Sequence, residues 1–276
     1  MLARLDHIQL MSEAPDTLAA FYQKVMGMQT HRVNQDLWLC QGPERSLLIG
    51  HGRSKTLKFG AYRCEKENDL MALRARLEER GVPLLCSPSP LFTADAFSFL
   101  DPDGNQLVFG LSEQGTYSNS KSSLPGRLQH LVVASDNAES LVRFYTDVVN
   151  LIVTDTMLDH GAVAACWMRT DMDSEHHSFA IFRAPEKKLD HYSFEVGDWA
   201  RIRDWADSFA EEGIKLSWGP GRHGPGNNLF IFIHDPDGNW IELSAELEVV
   251  GRERLSGVWL NEPETLNRWG HAFMRS

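Results

Sequence analysis

A glutamate inside an apolar strand pattern is the first residue of this sequence whose type and position suggest chemistry. The segment Asp235 to Asn239 reads DPDGN, with proline and glycine where a tight hairpin turn needs them. If Asp235 pairs with Asn239 across that turn, Phe232 pairs with Glu242 and both side chains share one face of the hairpin. An ionised carboxylate on an inner face is costly without a charged partner, so we predict that Glu242 meets a metal ion.

The sequence repeats itself, and the repeat shows which polar positions are special. LDHIQL near the start corresponds to LQHLVV in the second half, and FLDPDGNQLV corresponds to IHDPDGNWIE. When the halves are superposed by these repeats, only the second half keeps a full polar set. The first half has His7, Phe59 and Val108 where the second half has His130, His191 and Glu242.

Two histidines and one carboxylate from separate strands form the facial arrangement used for non-haem Fe(II), which leaves neighbouring coordination positions for substrate and O₂. A single histidine in an apolar strand is more often an ordinary core residue, as we expect for His7. The carboxylate and the asymmetry between the halves favour a metal centre at His130, His191 and Glu242.

The elements that must position these residues are four similar units of one strand, one helix and three strands, at roughly 2–53, 56–113, 127–185 and 188–246. The predicted fold class is therefore α+β with four βαβββ modules. We expect an N-terminal domain over 1–113 without a working metal site, a polar linker over 114–126, a metal-binding catalytic domain over 127–250, and a tail over 251–276 that is ordered.

Helix ends are marked by glycines and polar caps. Two helices are predicted to stop at Gly81 and Gly213, where glycine allows the left-handed conformation that ends a helix. Ser12 with a following proline predicts the start of the first helix. Asp136 and Glu139 predict a capping box at the start of the third.

Composition excludes several classes of partner. The 276 residues are 42% hydrophobic and carry a net charge of -11, which disfavours nucleic acid and acidic membrane surfaces. No stretch approaches 18 consecutive apolar residues, so we expect neither a signal peptide nor a membrane span, and a cytoplasmic location.

The motifs carry a resemblance over essentially all of residues 1–246. The sequence resembles the type I extradiol ring-cleavage dioxygenases of the vicinal oxygen chelate superfamily. The matching segments are LQHLVV, HHSFAIF, LDHYSFEV, GPGRHG and DPDGNWIEL. The resemblance implies that paired βαβββ modules fold into two half barrels, and that His130, His191 and Glu242 hold Fe(II), with Mn(II) as the alternative ion.

Further roles follow from the resemblance alone. His177 matches the histidine that handles the oxygen intermediate, and His223 matches the one near the substrate hydroxyl. We expect His176 to point away from His177, because neighbouring strand residues face opposite sides. The family usually has a tyrosine ten residues before the metal-binding glutamate, and this sequence has Phe232 there. His234 shares the face of Phe232 and is a candidate to replace the missing phenol, so the expected substrate-binding residues are Phe232, His223 and His234.

The resemblance implies an Fe(II)-dependent dioxygenase that cleaves a catechol-like ring with O₂ beside its vicinal hydroxyls. A small aromatic diol and O₂ are the expected partners, and a homo-oligomer is the expected assembly. Two alternatives stay open: a metal-dependent isomerase or lyase that does not use O₂, which the absent phenol favours, and a metal-free protein that binds aromatic compounds.

Overall fold

The structure is a computed structural model that describes residues 3–112, 124–171, 174–251 and 253–272. The first half contains ten strands and helices in two successive modules, namely β1 (Ala3–Ser12), α1 (Pro15–Lys24), β2 (Gln29–Asn34), β3 (Leu37–Gly42), β4 (Arg45–His51), then β5 (Thr56–Cys64), α2 (Glu67–Glu79), β6 (Leu85–Cys86), β7 (Phe97–Leu100) and β8 (Gln106–Gly110). Each module has the order βαβββ.

The second half repeats that order. Its elements are β9 (Arg127–Ser135), α3 (Ala138–Arg143) continued by a π-helix (Phe144–Val149), β10 (Ile152–Asp159), β11 (Ala162–Arg169), β12 (Phe179–Arg183), then β13 (Lys188–Glu195), α4 (Trp199–Glu211), β14 (Trp218–Arg222), β15 (Leu229–His234) and β16 (Trp240–Ala245). The tail adds β17 (Gly257–Leu260) and α5 (Pro263–Leu266). The predicted α+β fold of four βαβββ modules is confirmed.

The strands form two sheets in which paired modules meet through their first strands. The eight-stranded sheet has the order β2-β3-β4-β1-β5-β8-β7-β6, and the nine-stranded sheet has the order β14-β15-β16-β13-β9-β12-β11-β10-β17. The central strands β1 and β5 are antiparallel, as are β9 and β13, whereas the first and last strands of each module are parallel. The domain boundaries given above stay predictions, and 114–123 of the predicted linker lie outside the described residues, as does residue 113.

Helix ends follow the glycine signals. Gly81 and Gly213 follow the ends of α2 and α4 with φ angles of +72° and +73°. The start of α1 has the predicted proline within its first turn. Among the described residues, none of the helices combines the length and the apolar character needed to cross a bilayer.

The capping box predicted at Asp136 and Glu139 is wrong. The residue that caps α3 is Asn137, whose side chain accepts a hydrogen bond from the Ser140 amide at 3.2 Å. Glu139 instead accepts from the amide of Val163 at 3.0 Å, so it ties the helix to β11. Asparagine is as good a cap as aspartate, and the helix starts one residue later than the sequence pattern indicated.

The DPDGN segments join the two halves of the molecule. In the second half, the Asp235 amide donates to the Asn239 carbonyl at 3.1 Å, and Phe232 pairs with Glu242, so the predicted register is confirmed. The Asp235 carboxylate also accepts from the Tyr22 hydroxyl of α1 at 3.1 Å. Its counterpart in the first half, Asp101, accepts from Tyr145 at 2.8 Å, so each half supplies a buried tyrosine to the turn of the other.

Candidate metal centre

Three neighbouring strands of the nine-stranded sheet bring two histidines and a glutamate together. In β13, Ser193 lies opposite His130 of β9 on one side and opposite Glu242 of β16 on the other. His191 precedes Ser193 by two residues and therefore lies on the same face of the sheet. One donor atom from each of His130, His191 and Glu242 lies within 4.8 Å of the other two.

The two imidazoles direct their Nε2 atoms at one carboxylate oxygen. His130 Nε2 lies 2.8 Å from Glu242 Oε2, and His191 Nε2 lies 3.4 Å from the same oxygen. The three side chains are 2%, 6% and 1% exposed, so water does not screen their interaction. A buried carboxylate therefore faces two nitrogens and not the solvent.

Hydrogen bonds on the outer side set which ring nitrogens carry protons. His191 Nδ1 lies 2.5 Å from Asp190 Oδ1, a carboxylate that only accepts, so Nδ1 carries the proton. His130 Nδ1 lies 2.5 Å from Gln129 Oε1, because the amide nitrogen of Gln129 donates to the His177 carbonyl. Such outer partners orient metal-binding histidines.

The charge state of the cluster suits a divalent cation. Burial lowers the pKa of His130 below its ordinary value. Burial alone would raise the pKa of the Glu242 carboxyl, but the imidazoles of His130, His191 and His223 hold it well below its usual range. Neutral imidazoles and an ionised carboxylate all present lone pairs to the same point, and a cation there removes their mutual repulsion. The residues present therefore fit an Fe(II) or Mn(II) ion.

A cavity opens beside this cluster. Its empty volume is about 380 Å³ including its opening to solvent, and its wall contains His130, His191 and Glu242. Apolar and aromatic side chains form much of the remaining wall, namely Val132, Trp167, Phe182, Trp218, Pro225 and Leu266. The proposed ligands thus lie at one end of a mostly apolar pocket, which is typical of small-molecule sites.

Both histidines expected to be catalytic reach this cavity. The His177 ring lies 4.5 Å from the His130 ring, and burial together with the nearby imidazoles lowers the pKa of His177 well below its ordinary value. His223 Nε2 lies 3.3 Å from Glu242 Oε1, and its Nδ1 lies 2.6 Å from the carbonyl oxygen of Leu266. His223 therefore has a proton on Nδ1 and turns Nε2 toward the metal cluster.

The structure does not bring the other two expected substrate-binding residues to the cavity wall. Phe232 is fully buried, with its ring 5.4 Å from the His191 ring and stacked on Trp218 at 5.3 Å. His234 lies further along β15, where its Nδ1 is 2.8 Å from the Ser217 hydroxyl and its ring is 4.0 Å from that of Trp240. Trp218 forms the wall in front of Phe232.

Several residues at the site were missed from the sequence. Asn228 donates to Glu242 Oε1 at 3.2 Å and to Ser244 Oγ at 3.0 Å, so it fixes the carboxylate. His176 was expected to point away from His177, but the Nδ1 atoms of the two rings lie 3.0 Å apart. The expectation is wrong because β12 begins only at Phe179, so alternation of strand side chains does not apply.

The sequence does contain a pattern that indicates the hydrogen-bond partners of the histidine Nδ1 atoms. The residue before each of the three related histidines is a hydrogen-bond acceptor: Asp6, Gln129 and Asp190. In all three cases the structure places that acceptor against the Nδ1 atom of the following histidine.

The family model described as the Glyoxalase/Bleomycin resistance protein/Dioxygenase superfamily matches residues 4–109 and 127–243. The chain belongs to this superfamily. Among curated relatives it is 25% identical to Metapyrocatechase 2 of Cupriavidus necator, over 96% of this chain and 88% of that protein. It is 24% identical to an iron-dependent extradiol dioxygenase of Rhodococcus jostii, over 82% of this chain and 81% of that protein.

Solved structures of the superfamily share the fold over nearly the whole chain. The Mn(II)-bound glyoxalase of Novosphingobium aromaticivorans superposes with a TM-score of 0.81 at 25% identity, covering 98% of this chain and 92% of that one. Homoprotocatechuate 2,3-dioxygenase of Arthrobacter globiformis superposes with a TM-score of 0.85 at 20% identity, covering 99% and 89%. The second likeness concerns the fold alone.

Proposed function

We propose that this protein is an Fe(II)-dependent extradiol dioxygenase that cleaves a catechol-like ring with O₂ next to its vicinal hydroxyls. The observation that carries the proposal is the convergence of His130, His191 and Glu242, with donor atoms within 4.8 Å of one another, at the end of a buried cavity. The relatives named as metapyrocatechase and as an iron-dependent extradiol dioxygenase support this reaction.

Two imidazoles and one carboxylate would hold the ion on one side. When bound, Fe(II) would hold the two adjacent substrate oxygens and O₂ next to each other and let electrons pass between them. Asn228 keeps Glu242 in place through its hydrogen bond to Oε1. Gln129 and Asp190 keep the two imidazole rings turned inward.

The remaining residues would handle protons and exclude water. His223 presents Nε2 to the cavity, because its Nδ1–H donates a hydrogen bond to the Leu266 carbonyl. We assign to His223 the transfer of the proton from the substrate hydroxyl. We assign His177 to the side of the cavity where oxygen reacts. General acid–base help of this kind contributes typically about 10²- to 10⁴-fold to a rate.

The wall of the cavity supports a flat and uncharged substrate. Trp167, Phe182, Trp218 and Leu266 provide apolar surface on which an aromatic ring can pack. Among the described residues that line the cavity there is neither lysine nor arginine. A ring substituent bearing a carboxylate would therefore be buried without a cationic partner, which is costly.

An alternative is a metal-dependent isomerase or lyase of the same superfamily that does not use O₂. Phe232, which leaves the site without the usual phenol, and the likeness to the Mn(II)-bound glyoxalase favour it. Such sites usually add a fourth protein ligand, and the metal-type cluster in the described part of the chain has three. A metal-free binding protein is disfavoured by the converging lone pairs, which a pure binder does not need.

Anaerobic loading with Fe(II), followed by catechol and air-saturated buffer, tests the proposal. We expect oxygen uptake that matches the formation of a yellow ring-opened product, and loading with Mn(II) in parallel identifies the working ion. Turnover without oxygen uptake would support the isomerase or lyase. Binding of catechol without turnover under either ion would support the binding protein. A homo-oligomeric assembly and a cytoplasmic location stay predictions from the sequence.

A further inference from the structure

Three buried side chains form a line that leads from strand β10 to the cavity. Asp155 Oδ2 lies 3.1 Å from His176 Nε2, and His176 Nδ1 lies 3.0 Å from His177 Nδ1. Asp155 and His176 are fully buried, and His177 is 3% exposed. Asp155 and His176 are not on the cavity wall, whereas His177 is. The line therefore connects the reacting cavity with a carboxylate that has no direct contact to substrate.

Asp155 is held as an ionised acceptor by the C-terminal segment. Its Oδ1 accepts from Arg254 Nη1 and from the Gly257 amide, both at 3.0 Å, and its Oδ2 accepts from Trp259 Nε1 at 2.7 Å. Burial opposes ionisation, but the adjacent imidazole of His176 and the hydrogen bonds from Arg254 and Trp259 bring the pKa of Asp155 to about 2. The carboxylate thus only accepts hydrogen bonds.

The carboxylate decides which nitrogen of His176 carries the proton. The Nε2 atom of His176 is buried and 3.1 Å from Asp155 Oδ2, although its N–H direction is away from the line of an ideal hydrogen bond. In the other neutral tautomer a nitrogen lone pair would face a negatively charged oxygen at this distance, in a region without water. Repulsion of that kind is strong at low dielectric, so the proton belongs on Nε2.

The tautomer of His176 then determines the tautomer of His177. A neutral His176 with a proton on Nε2 has a lone pair on Nδ1, and this atom lies against His177 Nδ1. Of two nitrogens 3.0 Å apart, one must donate, so His177 carries its proton on Nδ1. The Nε2 atom of His177 is then left with a lone pair, in a ring that lines the cavity and lies 4.5 Å from the His130 ring.

We propose that Asp155 and His176 are positioning residues that fix the tautomer of His177, so that a lone pair on His177 Nε2 faces the reacting cavity. The inference rests on the proposed function, because it gives a purpose to a histidine on the oxygen side of the site. His177 then enters the reaction as a proton acceptor, and neither positioning residue touches the substrate.

The tautomers can be read directly by ¹⁵N-detected histidine NMR on the metal-free full-length protein. In the wild type we expect a proton on Nε2 of His176 and on Nδ1 of His177. A wild-type spectrum with the His177 proton on Nε2 would overturn the proposal. This measurement needs no turnover, so it stands whether or not the protein proves to be a dioxygenase.

The Asp155→Asn variant should move the proton to the other ring nitrogen in both His176 and His177. Its amide oxygen would stay with Arg254 and the Gly257 amide, so its NH₂ group would replace Oδ2, lose the hydrogen bond from Trp259 and face His176 Nε2, which would then need a lone pair. Both histidines should then exchange tautomers in the NMR spectrum. With Fe(II) bound, we expect kcat to fall about 10²-fold while KM changes less than about 3-fold, since replacing an orienting aspartate gives the wrong histidine tautomer.

Trp259→Phe is the matched control, because it removes one donor to the same carboxylate but leaves the charge. We expect wild-type tautomers and a kcat within about 3-fold of wild type. A loss in this variant as large as in Asp155→Asn, or unchanged tautomers in Asp155→Asn, would overturn the proposal. If Asp155→Asn does not fold, the wild-type spectrum decides alone. Absence of oxygen uptake in the wild type would instead count against the proposed function.

Discussion

The two halves of the molecule have the same strand pairing at the site, but they differ in side chain at two of the three positions that correspond to His130, His191 and Glu242. In the second half, Ser193 of the central strand lies between His130 and Glu242. In the first half, Ala61 lies between His7 and Val108 in the same way. The backbone therefore places these positions alike in both halves, and the side chains decide that a cluster of possible metal ligands forms in the second half.

The equivalent histidines of the two halves, His7 and His130, have different surroundings. His7 Nδ1 lies 2.7 Å from Asp6, and its Nε2 lies 2.7 Å from the Ser89 hydroxyl, so both ring nitrogens are used within the protein. The space in front of it is filled by Phe59 and Phe92, whose rings lie 5.8 and 4.8 Å from the imidazole. In the second half the corresponding space is the cavity.

A second difference is the C-terminal segment, which packs on one half only. Strand β17 pairs with β10 at the edge of the nine-stranded sheet, and within the described residues the eight-stranded sheet has no strand in that position. From there the segment reaches the site twice, through the Leu266 carbonyl at His223 and through Arg254 at Asp155. The C-terminal segment therefore adds contacts to the second half that the three converging residues do not supply.

The largest contrast should come from removing the equivalent histidines. His130→Asn should lose bound Fe(II) and reduce oxygen uptake by about 10³-fold or more, because stabilisation of several kcal/mol from the metal disappears. His7→Asn should keep both within about 3-fold. Metal analysis of the purified variants beside an oxygen electrode measures the two effects. Equal losses in both variants would mean that the halves are not functionally distinct.

Placing the glutamate in the first half should destabilise the fold. Val108 is fully buried next to His7 and Phe59, so Val108→Glu buries a carboxylate with one imidazole and no second ligand. We expect a loss of roughly 3 kcal/mol in the free energy of unfolding, measured by urea titration. The neutral variant Val108→Gln should lose less. Stabilisation of Val108→Glu by added Fe(II) would show that this half can still bind metal.

Phe232→Tyr should increase the catalytic efficiency of the site in the second half. The Phe232 ring lies 5.4 Å from the His191 ring, so the added hydroxyl would place a hydrogen-bond donor next to the metal-type cluster, and we expect kcat/KM for simple catechols to rise by about 10-fold. Phe230→Tyr is the control for a buried phenol added on the same strand, and it should give no gain. Unchanged rates in Phe232→Tyr across a panel of catechols would show that the missing phenol is not what limits this site.

The smallest effect concerns the half-buried carboxyl of Glu195, which has a basic residue as its equivalent in the first half. Glu195 of β13 stands where β5 has Arg63, and burial, followed by the nearby Glu175, raises its pKa to about 8 from an ordinary value of 4.5. The folded state therefore binds the proton more tightly, and stability falls as pH rises through this window. Glu195→Gln should match the wild type near pH 4 and gain roughly 2 °C in Tm at pH 9. A gain that is the same at both pH values would exclude ionisation as its cause.

Local patterns predicted much of this arrangement. The DPDGN turn gave the pairing of Phe232 with Glu242, because a tight turn fixes strand register by its length. The internal repeat singled out His130, His191 and Glu242, which the structure brings together. The placement of His176, His234 and the cap of α3 was not predictable in this way, since each depends on where a strand or helix begins or on neighbours far away in sequence.

By itself the sequence determined the four modules, the hairpin register and which three residues converge in the second half, because these depend on local turn geometry and on a repeat that can be read by comparing segments. Only the tertiary structure decided which side chains face the cavity and which orient them. Asp155 and the Leu266 carbonyl contact histidines that lie far away along the chain. Contacts between distant segments are set by how the sheets and the C-terminal segment pack, and no local pattern encodes them.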